Sequence, residues 1–334
     1  MRIRRRWSGI SATGPKQTCA PVSAHSPHGI KSFIVKDREM AEYKDYMIRA
    51  IAANDEIRAF AVTSRNLVEE ARKAHNTSPL ATAALGRTMS AAVMMNDMLK
   101  NEDDLLTLQF NGDGPLGQIT VTADHHGNVK GFVQHTDVEL PLKADGHLDV
   151  GRGVGKGTLT VIRDLDDGKT YNGQVEIHSG EIADDITHYF AESEQVPSSV
   201  GLGVLVDTDR TVRKAGGFII QLMPFTSDET IDKLEKNLKN IPYVTEMLEE
   251  GLNPEGMLGR VLDGFDVRMT GKMPVQFHCN CTRDRVERAL MLLGEPELVS
   301  MIEAGREVEL ACQFCGKKYR FSVDDLKKIR EGLC

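Results

Sequence analysis

The chain has 334 residues, 40% of them hydrophobic and 27% charged, and a formal net charge of −8. That length allows one to three domains with a sizeable core. The acidic balance argues against the phosphate backbone of a nucleic acid as partner, and no run of about eighteen apolar residues exists to span a membrane.

Residues 1–39 run against the rest of the chain. They hold eight Lys or Arg against Asp37 and Glu39, interleaved with Ser, Pro and Gly, and they show no helical or strand period. No apolar stretch follows the Arg cluster, so a secretory signal fails. The segment reads as a basic, disordered extension or the product of an upstream start, with translation beginning at Met40 or Met47. An organelle transit peptide is the alternative, but no amphipathic Arg-bearing helix can be drawn through it.

Residues 40–225 form the expected body. Tyr46 to Ala52 and Glu56 to Val62 alternate around Asn54-Asp55, a hairpin signal. Ser64 is placed to cap a helix through Lys73 that presents Leu67, Val68 and Ala71 on one face. Thr77-Ser78-Pro79 starts a second helix, Pro fitting its first turn. From Pro79 to Lys100 this helix is rich in Ala and Met and apolar on most sides. It reads as a buried central helix rather than a Met-rich binding surface.

Strands follow at 104–110 and 117–123. Between them Gly112-Asp113-Gly114-Pro115-Leu116-Gly117 matches a dinucleotide fingerprint, which needs a helix next. Gln118 to Thr122 is strand-like, so the glycines read as a hairpin turn. Gly151 to Thr158 resembles a phosphate-binding loop but carries Gly157 after Lys156 where Ser or Thr is required. It reads as a flexible loop. His125-His126-Gly127-Asn128 is a turn. Further strands are expected at 158–163, 173–178, 201–206 and 215–222, a helix at 181–191, and a turn at Pro197-Ser198-Ser199. No nucleophile elbow and no converging Ser, His and Asp are present, so the chain does not read as an enzyme.

Residues 226–276 read as a helical linker. Thr226 to Glu229 can begin a helix carrying Ile231, Leu234 and Leu238 on one face. Pro242 breaks it, Val244, Met247 and Leu248 start a second, and Gly251, Pro254 and three more glycines follow. Helices this short are marginal alone and must lean on a neighbour.

Residues 277–334 hold five of the six cysteines, four of them in two close pairs. Cys279 and Cys281 form one pair, Cys312 and Cys315 the other, with a spacer of about thirty residues. Two close pairs of thiols can enclose one Zn²⁺ in a tetrahedral shell with no open position, which makes such an ion structural or redox-linked rather than hydrolytic. Gly316 suits the tight turn after Cys315. A thioredoxin-type pair belongs at a strand-to-helix turn, whereas Cys315 runs into the strand-like Lys317 to Phe321. A nucleic-acid-binding ribbon would be basic, and this lobe balances its charges. Paired thiols without a disulfide ladder point to a reducing, cytoplasmic compartment. Cys19 and Cys334 stand outside the pattern. The whole is expected to be α+β: a mainly antiparallel sheet domain with a buried central helix, a helical linker and a small C-terminal zinc domain.

These cysteines, with A-A-L-G-R-T-M at 83–89, Q-V-P-S-S-V-G-L-G-V at 195–204 and G-G-F-I-I-Q-L-M-P at 216–224, resemble the redox-regulated holdase chaperones, the thirty-three-kilodalton heat-shock protein family. The match runs from about Tyr46 to Leu326. The resemblance implies an ATP-independent chaperone for unfolding client proteins, inactive while reduced with one Zn²⁺ per chain on Cys279, Cys281, Cys312 and Cys315. It implies that oxidation to Cys279–Cys281 and Cys312–Cys315 disulfides releases the zinc and unfolds a metastable linker. Apolar surface is thereby uncovered under oxidative and heat stress, with a homodimer forming on activation.

Overall fold

A computed structural model describes residues 45–332; the basic extension 1–39, the alternative start at Met40, Cys19 and Cys334 lie outside the described residues. Strands β1 (Tyr46–Ala52) and β2 (Ile57–Thr63) form the expected hairpin, turned by Ala53, Asn54 and Asp55 at positive φ. Helix α1 (Arg65–His75) follows, but Ser64 does not cap it. Ser64 hydrogen-bonds Ser90 at 2.7 Å, while the Asp45 carboxylate accepts from the backbone N–H groups of Asn66 and Leu67 at 2.6 and 2.9 Å. A carboxylate also suits the positive end of the helix.

Helix α2 (Pro79–Asn96) starts as its sequence predicts, with the Ser78 hydroxyl accepting from Ala81 N–H and Pro79 in the first turn. All of it is buried except Pro79 and Arg87. Small side chains permit this. A Cβ on Gly86 would lie 2.6 Å from Val68 Cγ1, so α1 and α2 approach more closely than any other residue allows. The helix stops four residues short of Lys100, where Asn96 donates its amide to the Asp104 and Ala123 carbonyls.

The next elements are β3 (Leu105–Gly112), β4 (Gln118–Ala123), β5 (Asn128–Val133), a short helix α3 (Val150–Val154), β6 (Gly157–Asp164) and β7 (Thr170–Glu176). The first glycine motif makes the β3–β4 hairpin turn, as expected. Residues 151–154 are not a flexible loop. Val150 and Val154 are fully buried, and Asp149 caps α3 by accepting from Arg152 N–H. Strand β5, absent from the sequence reading, continues directly from the His125–Asn128 turn. Helix α4 (Ile182–Tyr189) runs on into one π-helical turn, Phe190–Glu194, and β8 (Ser198–Val206) and β9 (Val212–Leu222) complete the body. Strand β8 begins at Ser198, inside the expected turn.

Three helices come next: α5 (Asp228–Asn240), α6 (Val244–Glu249) and α7 (Pro254–Val261). Ser227 caps α5 through Thr230 N–H. The glycines of 256 and 259 do not prevent α7. Pro254 opens it, and the Asn253 side chain accepts from Gly256 N–H at 2.8 Å. The end of this region is not helical. Strand β10 (Val267–Pro274) pairs antiparallel with β1, and the two-residue β11 (Gln276–Phe277) pairs parallel with β5.

Two sheets result, ordered β10-β1-β2-β9-β8 and β11-β5-β4-β3-β6-β7, antiparallel throughout except at β11. Helix α2 lies between them in the main core, in one buried cluster with Phe60, Val200 and Ile219 of one sheet and Leu108, Val121 and Val161 of the other. The five-stranded sheet has a second apolar face, made of Ile48, Ala50, Ala59, Ala61, Phe218 and Ile220. Helices α5, α6 and α7 cover it with Ile231, Leu234, Leu238, Met247, Leu258 and Val261. The α+β architecture with its buried helix is therefore as expected. No helix among the described residues is long and apolar enough to cross a membrane.

Candidate metal centre

The last lobe contains α8 (Arg283–Met291), α9 (Glu295–Glu303), β12 (Val308–Ala311), β13 (Lys318–Phe321) and α10 (Val323–Glu331). Its core is small: Leu290, Leu298, Tyr319, Phe321, Leu326 and Ile329, with Cys281 and Cys312 packed against its edge. Strand β11 delivers Cys279 and Cys281 just before α8, which Thr282 caps. Strands β12 and β13 form an antiparallel hairpin whose turn is Cys312 to Lys317. In that turn Cys312 N–H donates to the Lys317 carbonyl and Gly316 N–H to the Cys312 carbonyl, at 2.9 and 2.8 Å. Gly316 has φ +70°, open to glycine at no cost. Cys312 and Cys315 thus sit in a hairpin turn and not at a helix start, which removes the geometry of a thioredoxin-type pair.

The four sulfurs lie within 4.8 Å of one another and are half-buried. Cys279 stands 3.7 Å from Cys312, and Cys281 stands 3.4 Å from Cys315. Sulfurs at about 2.3 Å from a tetrahedral ion stand about 3.8 Å apart, so the tetrad fits one metal ion held by four thiolates. All four sequence-predicted residues are brought together.

Tyr319 was not singled out from sequence, yet its hydroxyl lies 3.2 Å from Cys281 Sγ and 3.0 Å from the Cys281 carbonyl. Burial opposes ionisation of Cys281. Hydrogen bonds from Tyr319 and the neighbouring thiols outweigh it and bring this thiol down to about 7. Burial pushes Cys279 and Cys315 up. Crowded sulfurs share few charges unless a cation joins them. Tyr319→Phe, by raising the Cys281 midpoint, is expected to let acid displace the metal from the reduced protein at higher pH. Metal release against pH reads this directly, and an unmoved midpoint would mean the phenol has no such role.

The tetrad is not isolated from the body. Phe314, between Cys312 and Cys315, meets Phe132 edge-on at 5.4 Å, with Lys130 over its ring. His75 at the end of α1 donates through Nε2 to the Phe314 carbonyl at 3.0 Å. A Cβ on Gly316 would lie 2.8 Å from the Ala74 carbonyl. Beside Cys279, His278 N–H donates to the Val129 carbonyl, and Lys130 donates to Asn280. An aromatic residue between the two cysteines of a candidate ligand pair, with no place in a ligand set, was the one sequence signal for this latch. Phe314→Ala is expected to keep the metal but loosen the lobe. Amide exchange at Gln276 to His278 should quicken, and peroxide should act at lower temperature. Unchanged exchange would show that β11 pairing alone holds the lobe.

A family model described as Hsp33 protein matches residues 45–322. The 33 kDa chaperonin of Agathobacter rectalis is 53% identical over 286 residues, covering 86% of this chain and 99% of that protein. That of Clostridioides difficile is 47% identical over 291 residues, covering 87% and 100%. The crystal structure of the 33 kDa chaperonin from Thermotoga maritima, a heat shock protein 33 homolog, superposes with a TM-score of 0.80 at 34% identity, covering 86% of this chain and 98% of that one.

Proposed function

The chain belongs to the Hsp33 family and is a chaperone, and from that premise we propose that it is a redox-regulated holdase for unfolding proteins, switched by Cys279, Cys281, Cys312 and Cys315. The observation that carries this reading is the convergence of four thiols within 4.8 Å in a lobe with little core of its own. Zn²⁺ suits four thiolates and, when bound, supplies binding energy that is folding energy, roughly 10–16 kcal/mol in small zinc peptides.

Peroxide converts each cysteine pair into one disulfide. Two thiols lose two protons and two electrons, one S–S bond forms, and the peroxide leaves as two waters. A disulfide brings its sulfurs to about 2.05 Å, closer than thiolates stand around one ion, so joining Cys312 to Cys315 and Cys279 to Cys281 requires the tetrad to open. A Cys-x-Cys disulfide closes the smaller, more strained ring, so Cys312–Cys315 forms first. With its thiols consumed, the lobe loses its cross-link. The lobe leads back through β11 and β10 into α7, so its unfolding reaches the linker, residues 226–276. Undocking α5 to α7 uncovers the apolar face of the five-stranded sheet, a surface to which other unfolding chains adhere.

The test compares suppression of a heat-unfolded client's aggregation by reduced, zinc-loaded protein and by protein treated with peroxide under mild heat. Zinc release and disulfide mapping are followed in the same samples. The reading requires that only the oxidised, zinc-free form keeps the client soluble. Equal behaviour of both forms would leave the tetrad a structural staple.

A further inference from the structure

Among the described residues strand β10 has one neighbour in its sheet, β1, and half of its side chains are exposed while none is fully buried. It gives Val267 to the outer apolar cluster and Met273 to the inner one, and neither is fully buried. Its ion pairs, Arg268 with Asp55 and Lys272 with Glu255, are solvent-accessible and hold it weakly. The register also slips between Arg49 and Ala50, leaving Thr270 opposite no residue of β1. Five residues beyond its end stands Cys279. Backbone pairing is what chiefly retains this strand, and its C-terminal end is tied to the tetrad.

Strand β1 is built differently. Ile48, Ala50 and Ala52 are buried on the face that α5 to α7 cover. The Thr270 hydroxyl donates to the Arg49 carbonyl, so the Arg49 backbone groups face β10. Tyr46 N–H instead meets Thr63 on the β2 side. Alternation along a strand then places the N–H and C=O groups of Met47, Arg49 and Ile51 on the β10 edge.

We propose that this edge is itself a client-binding element. Once β10 leaves with the linker, an extended segment of an unfolding protein adds to β1 in its place. Its alternate apolar side chains then lie beside Ile48, Ala50 and Ala52, so the strand edge and the apolar face act as one surface. The occupant follows from what β1 now holds: a strand paired with all seven of its residues, Tyr46 to Ala52. An open edge beside an apolar face selects another strand. An apolar client segment there buries more surface than β10 does, whose residues opposite Ile48 and Ala50 are the exposed Lys272 and Met269. In the reduced protein β10 is an internal substitute for the client.

This inference rests on the function proposed above, and one experiment separates the two. Residue-resolved hydrogen exchange is measured on the full chain, reduced, oxidised, and oxidised with a heat-unfolded client bound. Amides of Met47, Arg49 and Ile51 should exchange about tenfold faster or more after oxidation, as expected for release of a local unit, and return toward the reduced rates with client. Amides of Ile48 and Ala50, paired to β2, should change little in all three. If the client is kept soluble while the three edge amides exchange as in the client-free oxidised protein, clients use the apolar face alone and the inference fails. If those amides stay protected after oxidation without client, β10 has remained or a second copy has replaced it, and the inference fails. If no client is held at all, the proposed function falls first.

Discussion

Leu234→Asp is expected to make the fully reduced protein hold clients, with its metal still bound. Leu234 is completely buried in the middle of α5, against the outer face of the five-stranded sheet. Losing the leucine removes about 1.5–3 kcal/mol of apolar burial, and an unpaired carboxylate in its place costs several kcal/mol more. The linker has little to set against this. Its helices α5, α6 and α7 have 13, 6 and 8 residues, lengths at which isolated helices are marginal in water. Their order is sustained by the sheet they cover, so one charge at the centre of the contact should release them together. The sheet's own residues are untouched, which leaves the client surface intact. Lys236→Asp, on the exposed side of the same helix, changes charge without entering the contact and serves as control. Aggregation suppression under reductant, with metal content and apolar-dye binding measured alongside, reads the outcome. If α5 is released but the client still aggregates, the covered face is not the surface that clients use.

This expectation depends on features that differ in how far the sequence discloses them. Helix α2 was legible because burial on all sides leaves a local mark: Ala, Gly and Met at half of its 18 positions and no polar stripe. The convergence of the four thiols was legible for a similar reason. Four thiols need only two short turns, and each turn is written within four residues. Strand β10 was not legible. An edge strand with half its side chains exposed and none buried has no period to show, and its partner, β1, lies more than two hundred residues earlier, as the Thr270 to Arg49 contact shows. Helix α7 was obscured by Gly256 and Gly259, which left no helix to be expected after Gly251. Each glycine costs a helix only about 1 kcal/mol, and Pro254 with the Asn253 cap offsets part of it. Ser64 misled because Asp45, nineteen residues upstream, reaches the same N–H groups. The latch of His75, Phe132 and Lys130 on Phe314 is a tertiary contact between surfaces that look ordinary in isolation.

Replacing both Cys312 and Cys315 with Ser is the complementary experiment, and it acts from the other end of the same chain of contacts. Hydroxyls are poor ligands for a soft-accepting ion beside two remaining thiolates, so metal content after mild chelation should fall from one equivalent to none. The consequence follows from the size of the lobe. Six buried side chains make its core, and single cores in scaffolds this small rarely supply more than about 3–5 kcal/mol. Losing a bond network worth roughly 10–16 kcal/mol in comparable zinc peptides leaves nothing to hold β12, β13 and α8 to α10 together. Amides throughout residues 279–332 should then exchange at unfolded rates, while α2 and the strands around it stay protected. Freed of its docked lobe, β11 loses its anchor beyond Phe277, and β10 and the linker follow. The variant should therefore hold clients without peroxide, as Leu234→Asp does, but with the metal gone. The two variants place cause and effect in order: activity with metal retained in one, activity through metal loss in the other. Should the double variant unfold its lobe yet remain inactive until α5 is also displaced, the lobe and the linker are separate locks rather than one.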